Sequence, residues 1–253
     1  MKKIGNNAIR AAALLCTALS TALGLACFGA ARADNYPVRP VTIVVPFTPG
    51  GSTDILARYE AEVLQRQMHG TFVVDNKPGA GGEIGIAYAA RAVPDGYTLL
   101  HAPSVITLLP FLKKHVSYDL PKDFDPITVV GLTQFGLVVN PALHIDTVAA
   151  LIALLGAKRD PDMPNVPTVG ETVPGYVAQS WQGLFARAGT PKPIVEDIAR
   201  YLAADLKRPE TVAKFKAIGI VAQSDTPEEF RAFIASESTK WGKVIKQAKI
   251  EPQ

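Results

Sequence analysis

The hydrophobic pattern of the chain is organised around one strand, one glycine turn and one helix. Val41–Val45 is a nearly continuous run of apolar, mostly β-branched residues, which is typical of a strand buried on both faces of a sheet. Two prolines and the pair Gly50 and Gly51 then interrupt the run. From Ser52 onward apolar residues recur at helical spacing, so we predict an amphipathic helix capped by the side chain of Ser52 or Thr53.

The rest of the pattern alternates between the same two kinds of element. It predicts strands over 71–76, 97–102 and 180–185, and across 124–140 either a pair of strands or one long bent strand that breaks at Gly131. It predicts helices over 86–92, 147–158, 194–207, 210–218 and 228–246. Thr226, Pro227 and Glu229 give the last helix a capping box. The alternation indicates an α/β fold in which a mostly parallel sheet carries helices on both faces.

The first 33 residues have the pattern of a secretory signal peptide. A basic start is followed by an apolar stretch of small residues over 11–30 and by the small-x-small sequence that ends at Ala33. This predicts export and cleavage after Ala33. A membrane anchor is the alternative, because the apolar stretch is long enough, and Cys27 offers a poor match to a lipid-attachment site. The small residues and the cleavage site favour removal.

Removal of this segment changes what the composition implies. Both cysteines, Cys16 and Cys27, lie inside it, so the mature chain is expected to form no disulfide and to carry no thiol chemistry. The segment also holds four of the 26 basic residues and none of the 23 acidic ones, which leaves 22 basic residues against 23 acidic ones. The net charge of +3 of the whole chain therefore gives no indication of nucleic-acid binding.

The first strand–turn–helix unit is a candidate anion site. A glycine turn at a helix start directs free backbone N–H groups and the positive end of the helix dipole toward one point, which attracts carboxylate or phosphate. An ordinary tight turn is the alternative. Ser104 follows the strand predicted over 97–102, at the sheet edge where ligands bind in open α/β folds. A serine that only caps the next helix is equally compatible with the pattern.

The motifs of common enzyme classes are absent from the sequence. It contains no G-x-S-x-G, H-E-x-x-H or Walker sequence, and its four histidines are scattered without metal-ligand spacing. Gly79–Gly85 resembles a dinucleotide fingerprint, but the third glycine falls one place late, so we predict a glycine-rich helix entry and no cofactor. Asp54 and Glu83 could be imagined as an acid/base pair, yet each is simply an acidic residue near a helix start. We predict a binding protein rather than an enzyme, with no metal.

Several motifs, in order, resemble the Bug family, the periplasmic solute receptors of tripartite tricarboxylate transporters. The resemblance covers nearly all of the predicted mature chain. It is carried by the residues at 46–58, 74–85, 94–100, 118–124, 166–171, 174–176 and 180–184 and by the C-terminal helices.

The resemblance implies a periplasmic-binding-protein-like fold of two domains that closes on a small carboxylate and passes it to a membrane permease. The ligands of the family are dicarboxylates, acidic amino acids or nicotinate-like acids. The loop over 47–54 and the strand end at Ser104 would line the first domain's side of the cleft. The expected site residues are Phe47, Thr48, Gly50, Gly51, Ser52, Asp54 and Ser104. Glycines would allow close backbone approach, serines would donate, and Phe47 would form an apolar wall. Asp54 would fix the loop or orient a water rather than touch an anionic ligand, since like charges repel.

The sequence departs from the family at one place. Between the helix predicted over 147–158 and the segment at 166–168, family members carry a further block on the order of 70 residues, which holds most of the second domain. We therefore expect domain 1 to comprise 34–123 plus 186–253. Residues 124–185 would be a remnant of domain 2 with a linker over 159–174. A cleft that lacks most of one side excludes water poorly, so ligand binding is expected to be impaired.

Two further hypotheses remain from the sequence. The chain could be a non-transport binding or signalling paralogue that presents its surface to a sensor domain, or a degenerate protein that binds nothing. An exported hydrolase is opposed only by the absence of motifs.

Overall fold

The computed structural model describes residues 36–133 and 179–253 and the backbone of 135–136 and 154–155. Seven helices and eight strands lie within these residues. The strands are β1 Val41–Val45, β2 Phe72–Asn76, β3 Thr98–Pro103, β4 Phe124–Thr133, β5 Phe135–Gly136, β6 Leu154–Leu155, β7 Ser180–Arg187 and β8 Ile220–Ala222. The helices are α1 Ser52–Met68, α2 Glu83–Ala90, α3 Val105–Leu112, α4 Leu120–Asp123, α5 Lys192–Leu206, α6 Pro209–Ala217 and α7 Pro227–Gln247, and a 3₁₀ turn, Ala80–Gly82, precedes α2.

The main sheet has six strands in the order β2-β1-β3-β7-β4-β8. β1 pairs in parallel with β2 and with β3, whereas β7 is antiparallel to β3, and β4 is antiparallel to both β7 and β8. The α/β class is confirmed, and the three N-terminal strands pair in parallel as expected, whereas the pairings of β7, β4 and β8 are antiparallel and make the whole sheet mixed. An apolar run shows that a strand is buried, but it does not encode the direction in which that strand crosses the sheet.

The predicted division at 124 and 185 passes through this sheet. It places β4 and most of β7 in the remnant of a second domain, and both strands lie in the same sheet as β1, β2 and β3. β4 is one strand that continues through Gly131 with two irregularities of register. The helix predicted over 147–158 fails at Leu154–Leu155, which forms a short antiparallel pair with Phe135–Gly136. The other residues of that helix and the linker predicted over 159–174 lie outside the described residues.

Helices cover both faces of the sheet, as the sequence predicts. α1 and α5 pack together on one face, and α2, α3 and α7 pack on the other. The second face holds an apolar cluster in which Trp181 and Phe185 of β7 contact Phe230 of α7. Side chains that alternate with this cluster along the strands point toward α1. His101 of β3, for example, pairs with Glu60 of α1, with Nδ1 and Oε1 2.8 Å apart and both side chains fully buried.

The C-terminal helix begins as predicted. Thr226 Oγ1 accepts from Glu229 N–H at 3.2 Å, and Thr226 N–H donates to Glu229 Oε2 at 2.8 Å, which completes the capping box. The sequence reading missed α3, which contains Pro110, and the short elements α4 and β8. Within the described part of the chain, none of the helices has the length and apolar character needed to cross a membrane.

Candidate functional site

The loop between β1 and α1 is open above its two glycines. Gly50 has φ +90°, a conformation that favours glycine, and Gly51 has φ −80°. A Cβ atom added at either position would meet no atom of the described residues within 4 Å. Thr48, Gly50, Gly51 and Ser52 are all exposed. Within residues 36–133 and 179–253, this stretch of backbone at the carboxyl end of β1 is therefore uncovered.

The first turn of α1 follows these glycines directly and holds backbone N–H groups without an acceptor in the helix. Gly51 is the N-cap and no side chain caps the helix, so the prediction that Ser52 or Thr53 caps it is wrong. The first intrahelical bond runs from Ile55 N–H to Gly51 O at 3.0 Å, so the N–H groups of Ser52, Thr53 and Asp54 have no acceptor within the helix. With 17 residues, α1 places the positive end of its dipole at this point.

Asp54 ties the loop to its surroundings. Gly50 N–H donates to Asp54 Oδ2 at 3.0 Å, Arg58 donates to both carboxylate oxygens at 2.9 and 3.1 Å, and Asn76 Nδ2 donates to Oδ1 at 2.9 Å. The bonds from Arg58 lower the pKa of Asp54 from its ordinary 3.8 to about 2, and Gly50 and Asn76 act in the same direction against the effect of burial. The side chain thus holds the loop in place.

Phe47 joins this loop to the next glycine turn. Its carbonyl oxygen accepts from Asn76 Nδ2 at 3.0 Å, which connects it to the end of β2. Its ring lies against Gly82, where an added Cβ would come within 3.2 Å of the ring. Phe47 is only partly buried, so the loop after β1 keeps some accessible apolar surface.

Ser104 lies at the same sheet edge and is linked to β7. Its N–H donates to Trp181 O at 2.8 Å, and its hydroxyl is 3.1 Å from that of Ser180. Its side chain makes no capping bond to α3, so the interpretation as a capping serine is wrong. In the strand register Pro103 faces Gln182, whose Nε2 is 3.5 Å from Ser52 Oγ. β7 therefore connects the two predicted halves of the site.

The structure adds two candidate residues that the sequence did not predict, Ser180 and Gln182, because they lie beside Ser104 and Ser52. Gln182 is only 4% exposed, and its Oε1 has no hydrogen-bond partner among the described residues. The available signal was a polar residue within the apolar run of β7. This signal could be interpreted only with the direction of β7 known. Because β7 is antiparallel to β3, its first residues lie beside the end of β3.

The acidic residues near the two glycine turns are held in separate ion pairs. Asp54 pairs with Arg58, and Glu83 accepts from Lys113 Nζ at 2.7 Å and from Ser117. Hydrogen bonds from Lys113 and Ser117 lower the pKa of Glu83 against burial. Neither carboxylate has the raised pKa that suits a general acid. Within residues 36–133 and 179–253 no group of three or more His, Cys, Asp or Glu residues is arranged to hold a metal ion.

Comparison with known proteins identifies the family. The model of the tripartite tricarboxylate transporter family receptor matches residues 56–155 and 148–250. The chain belongs to this family of receptors. The resemblance drawn from the sequence motifs is confirmed, and the periplasmic-binding-protein-like fold is confirmed by the solved structures below.

The curated relatives of this receptor are longer than the chain. It is 28% identical to protein BugT of Bordetella pertussis over 298 residues, which takes in 85% of this chain and 91% of BugT. It is 26% identical over 296 residues to a UPF0065 protein of a Pseudomonas species, with 85% and 88% covered. Both alignments exceed the 253 residues of the chain, so they contain positions at which this receptor has no residue.

Two solved structures share the receptor's fold. Rpa4515 of R. palustris with adipate has a TM-score of 0.78 and 27% identity, with 86% of this chain and 100% of that chain covered. The periplasmic binding protein BugD has a TM-score of 0.71 and 27% identity with the same coverage. Both are named as binding or ligand-bound proteins, and neither name describes an enzyme.

Proposed function

We propose that this receptor is an exported, periplasmic binding protein for a small carboxylate, a dicarboxylate or an acidic amino acid, which it delivers to the membrane permease of a tripartite transporter. The observation that carries the proposal is the first turn of α1. The N–H groups of its first three residues have no acceptor within the helix, and among the described residues no atom would lie within 4 Å of a Cβ added at the adjacent Gly50 or Gly51. Such a helix start binds anions without further charged groups.

The charges of the loop favour an anion as well. The one acidic residue in the first turn of α1 is Asp54, and Arg58 matches its charge. The loop therefore presents hydroxyl and amide donors rather than an uncompensated carboxylate, which would repel an anionic ligand. The relation to Rpa4515, whose structure contains adipate, supports a dicarboxylate of similar size. We place Phe47, Thr48, Gly50, Gly51, Ser52 and Ser104 at the ligand, with Asp54 holding the loop.

We also propose that an internal block of the second domain is missing and that ligand affinity is reduced as a result. Two observations support this. The alignments to relatives are longer than the chain, and the two segments matched by the family model overlap at 148–155, close to the predicted break. A cleft that makes fewer contacts and admits more water binds a charged ligand less tightly. Dissociation constants in the high micromolar range or weaker are therefore expected.

Calorimetric titration tests the function. The mature protein, beginning at Asp34, is titrated with succinate, glutarate, adipate, aspartate and glutamate, and with the neutral diamide of adipic acid. The proposal expects heat from at least one acid and none from the diamide, because the N–H groups bind the negative charge.

Matched serine variants locate the site. Ser52→Ala removes a hydroxyl from the start of α1, whereas Ser236→Ala removes an exposed one from α7, where it donates to Phe233 O. We expect Ser52→Ala to weaken binding about three- to tenfold, the value of one hydrogen bond, and Ser236→Ala to have no effect. If no acid produces heat, the receptor function is refuted in favour of a non-binding or signalling protein. If the two variants weaken binding equally, the site lies elsewhere.

A further inference from the structure

A cavity of about 230 Å³ lies on the α7 face of the sheet, away from the loop after β1. It is enclosed by α4, the start of β4, the end of β7 and the first half of α7. Phe124, at the start of β4, pairs with Arg187 in the sheet register. Thr133, at the other end of β4, pairs with Ser180, which contacts Ser104. The length of β4 therefore separates this cavity from the candidate carboxylate site.

The walls of the cavity are apolar and are held in place by the core. All but two of the described residues that line it have apolar side chains. Two of them, Phe124 and Phe185, are 2% and 0% exposed, and their rings meet edge to face with centroids 6.1 Å apart. Asp123 fixes α4, because its Oδ2 accepts from Asp119 N–H at 2.7 Å and its carbonyl oxygen accepts from Arg187 Nη1 at 2.7 Å. The shape of the cavity is therefore set by the fold rather than by a ligand.

The volume of the cavity limits the size of an occupant. An apolar cavity of about 150 Å³ lined by Leu, Ile and Phe side chains binds one benzene molecule. The space of about 230 Å³ thus has room for a six-membered ring, or a chain of similar length, and a few further atoms. A second charged group deep among apolar side chains would be left unpaired at a large cost. A dicarboxylate is excluded for that reason.

The two polar lining residues offer hydrogen-bond donors. Arg231 donates from Nη2 to Asp125 Oδ1 at 2.9 Å, so its Nε and Nη1 have no acceptor among the described residues. Ser238 lies two turns further along α7, and its hydroxyl forms no hydrogen bond within the described part of the chain. Arg231 is exposed, which puts this charge at the open side of the cavity. A guanidinium with unused N–H groups matches the two oxygens of a carboxylate.

We propose that this cavity is a second binding site, separate from the carboxylate site at the sheet edge, and that its ligand is an apolar monocarboxylate. The apolar body lies against Phe124 and Phe185, and the single carboxylate accepts from Arg231 and Ser238 at the open side. Burial of the body supplies most of the affinity, and the carboxylate fixes the orientation. For ligands of about ten non-hydrogen atoms we expect dissociation constants of about 0.1–1 mM.

Methyl NMR of the mature protein, with ¹³C-labelled isoleucine δ1-methyl groups, reports on the two sites separately. Ile234 lines the cavity, and Ile55 lies in the first turn of α1. Phenylacetate, cyclohexylacetate and hexanoate are titrated, each beside its neutral amide. We expect at least one of the three acids to shift the Ile234 resonance, and its amide to bind tenfold or more weakly. Adipate, which carries two carboxylates, should leave the Ile234 resonance unchanged.

A pair of alanine variants assigns the binding to the cavity. Ala235→Phe adds a ring at a lining position of α7, and Ala232→Phe adds the same ring at an exposed position of that helix outside the lining. Ala235→Phe should weaken binding of the monocarboxylate at least tenfold because the ring occupies the space. Ala232→Phe should leave the binding unchanged.

A pair of arginine variants assigns the carboxylate. Arg231→Met keeps an apolar stem without the charge and should weaken binding about tenfold, the value of a hydrogen bond to a charged group. Arg200→Met makes the same change in an exposed pair with Asp197 on α5 and should have no effect. Circular dichroism and thermal melting establish that each variant is folded, and the wild-type titrations of acid and amide decide the matter for a variant that is not.

The outcomes keep this proposal apart from the receptor function. If none of the monocarboxylates shifts Ile234, or if Ala235→Phe binds them as wild type does, the second site is refuted. Equal binding of an acid and its amide, or full binding by Arg231→Met, would overturn the assignment of a carboxylate to Arg231. None of these results bears on the site at α1, which adipate and Ile55 report in the same experiment.

Discussion

Single residues decide whether the loop after β1 keeps its shape. Asp54 receives hydrogen bonds from the loop at Gly50, from the helix at Arg58 and from the end of β2 at Asn76. Gly50 supplies the backbone turn, and Gly51 ends it at the helix start. The sequence reading gave Asp54 the role of fixing the loop, and these bonds agree with that role. The hydrogen-bond partner Asn76, which lies 22 residues away, was not foreseen because contacts between separate segments are not written in a local pattern.

Gly50 and Gly51 should respond differently to the same substitution. Gly50→Ala is expected to lower the free energy of unfolding by about 1–2 kcal/mol, because alanine is strained at φ +90° although its methyl group would have space. Gly51→Ala, at φ −80° and with equal space, should change it by less than about 0.5 kcal/mol. Urea denaturation of both variants measures the difference. If both variants lowered the free energy of unfolding equally, the backbone at Gly50 would not have the positive φ that distinguishes it from Gly51.

The ionisation of Asp54 makes stability depend on acidity. Its pKa is about 2 in the folded protein and 3.8 in its ordinary state, so its contribution is complete above about pH 4–5 and is lost as the pH falls toward 2. We expect Asp54→Asn to be less stable than wild type at pH 6, and the difference should shrink by pH 2.5. Urea denaturation at both pH values measures it. Asp197→Asn, in an exposed pair with Arg200, is the control and should show no such change. If wild type and Asp54→Asn differed in stability by the same amount at both pH values, the lowered pKa of Asp54 would be contradicted.

At the scale of elements, the sequence predicted which segments are strands and helices better than how they are arranged. β1, β2, β3 and β7 and the four longest helices were found because their apolar periodicity is strong. α3 was missed because Pro110 and a short apolar segment give no clear helical signal. The antiparallel direction of β7 was missed because long-range pairing sets it. That one error concealed Ser180 and Gln182, the two residues that β7 adds to the candidate site.

The contact between α1 and β3 offers a test of how these elements are joined. Glu60 and His101 form a buried pair, and Glu60 Oε2 and His101 Nε2 have no further partner among the described residues. Glu60→Leu alone or His101→Leu alone should cost about 3–5 kcal/mol of unfolding free energy, because each leaves a buried polar group unpaired.

The corresponding double variant provides the control. Glu60→Leu with His101→Leu is expected to recover most of that loss, since two apolar side chains replace the pair. Urea denaturation of the three variants completes the cycle. Additive losses in the double variant would show that the two side chains act independently and that the pair does not join α1 to β3.

At the scale of the whole molecule, the family is the confirmed prediction from the sequence, and the division into domains stays a prediction. The ordered motifs identified the receptor family because they occur together over most of the chain. Most of the expected site residues lie at one sheet edge, but Gln182 and Ser180 were added only when the strand order was known. The prediction of two domains split at 124 and 185 assumed that chain order follows spatial order, and β4 and β7 do not obey it.

The pairing of Thr133 with Ser180 has a practical consequence. The end of β4 and the start of β7 are adjacent in the sheet. These two paired strand ends form a stem from which the intervening sequence leaves and to which it returns. We expect the sheet to keep its hydrogen bonds when the sequence between these two points is replaced by a segment of different length. The same stem ends beside Ser104 and Gln182, which makes it a suitable position for grafting a fluorescent reporter that responds to ligand.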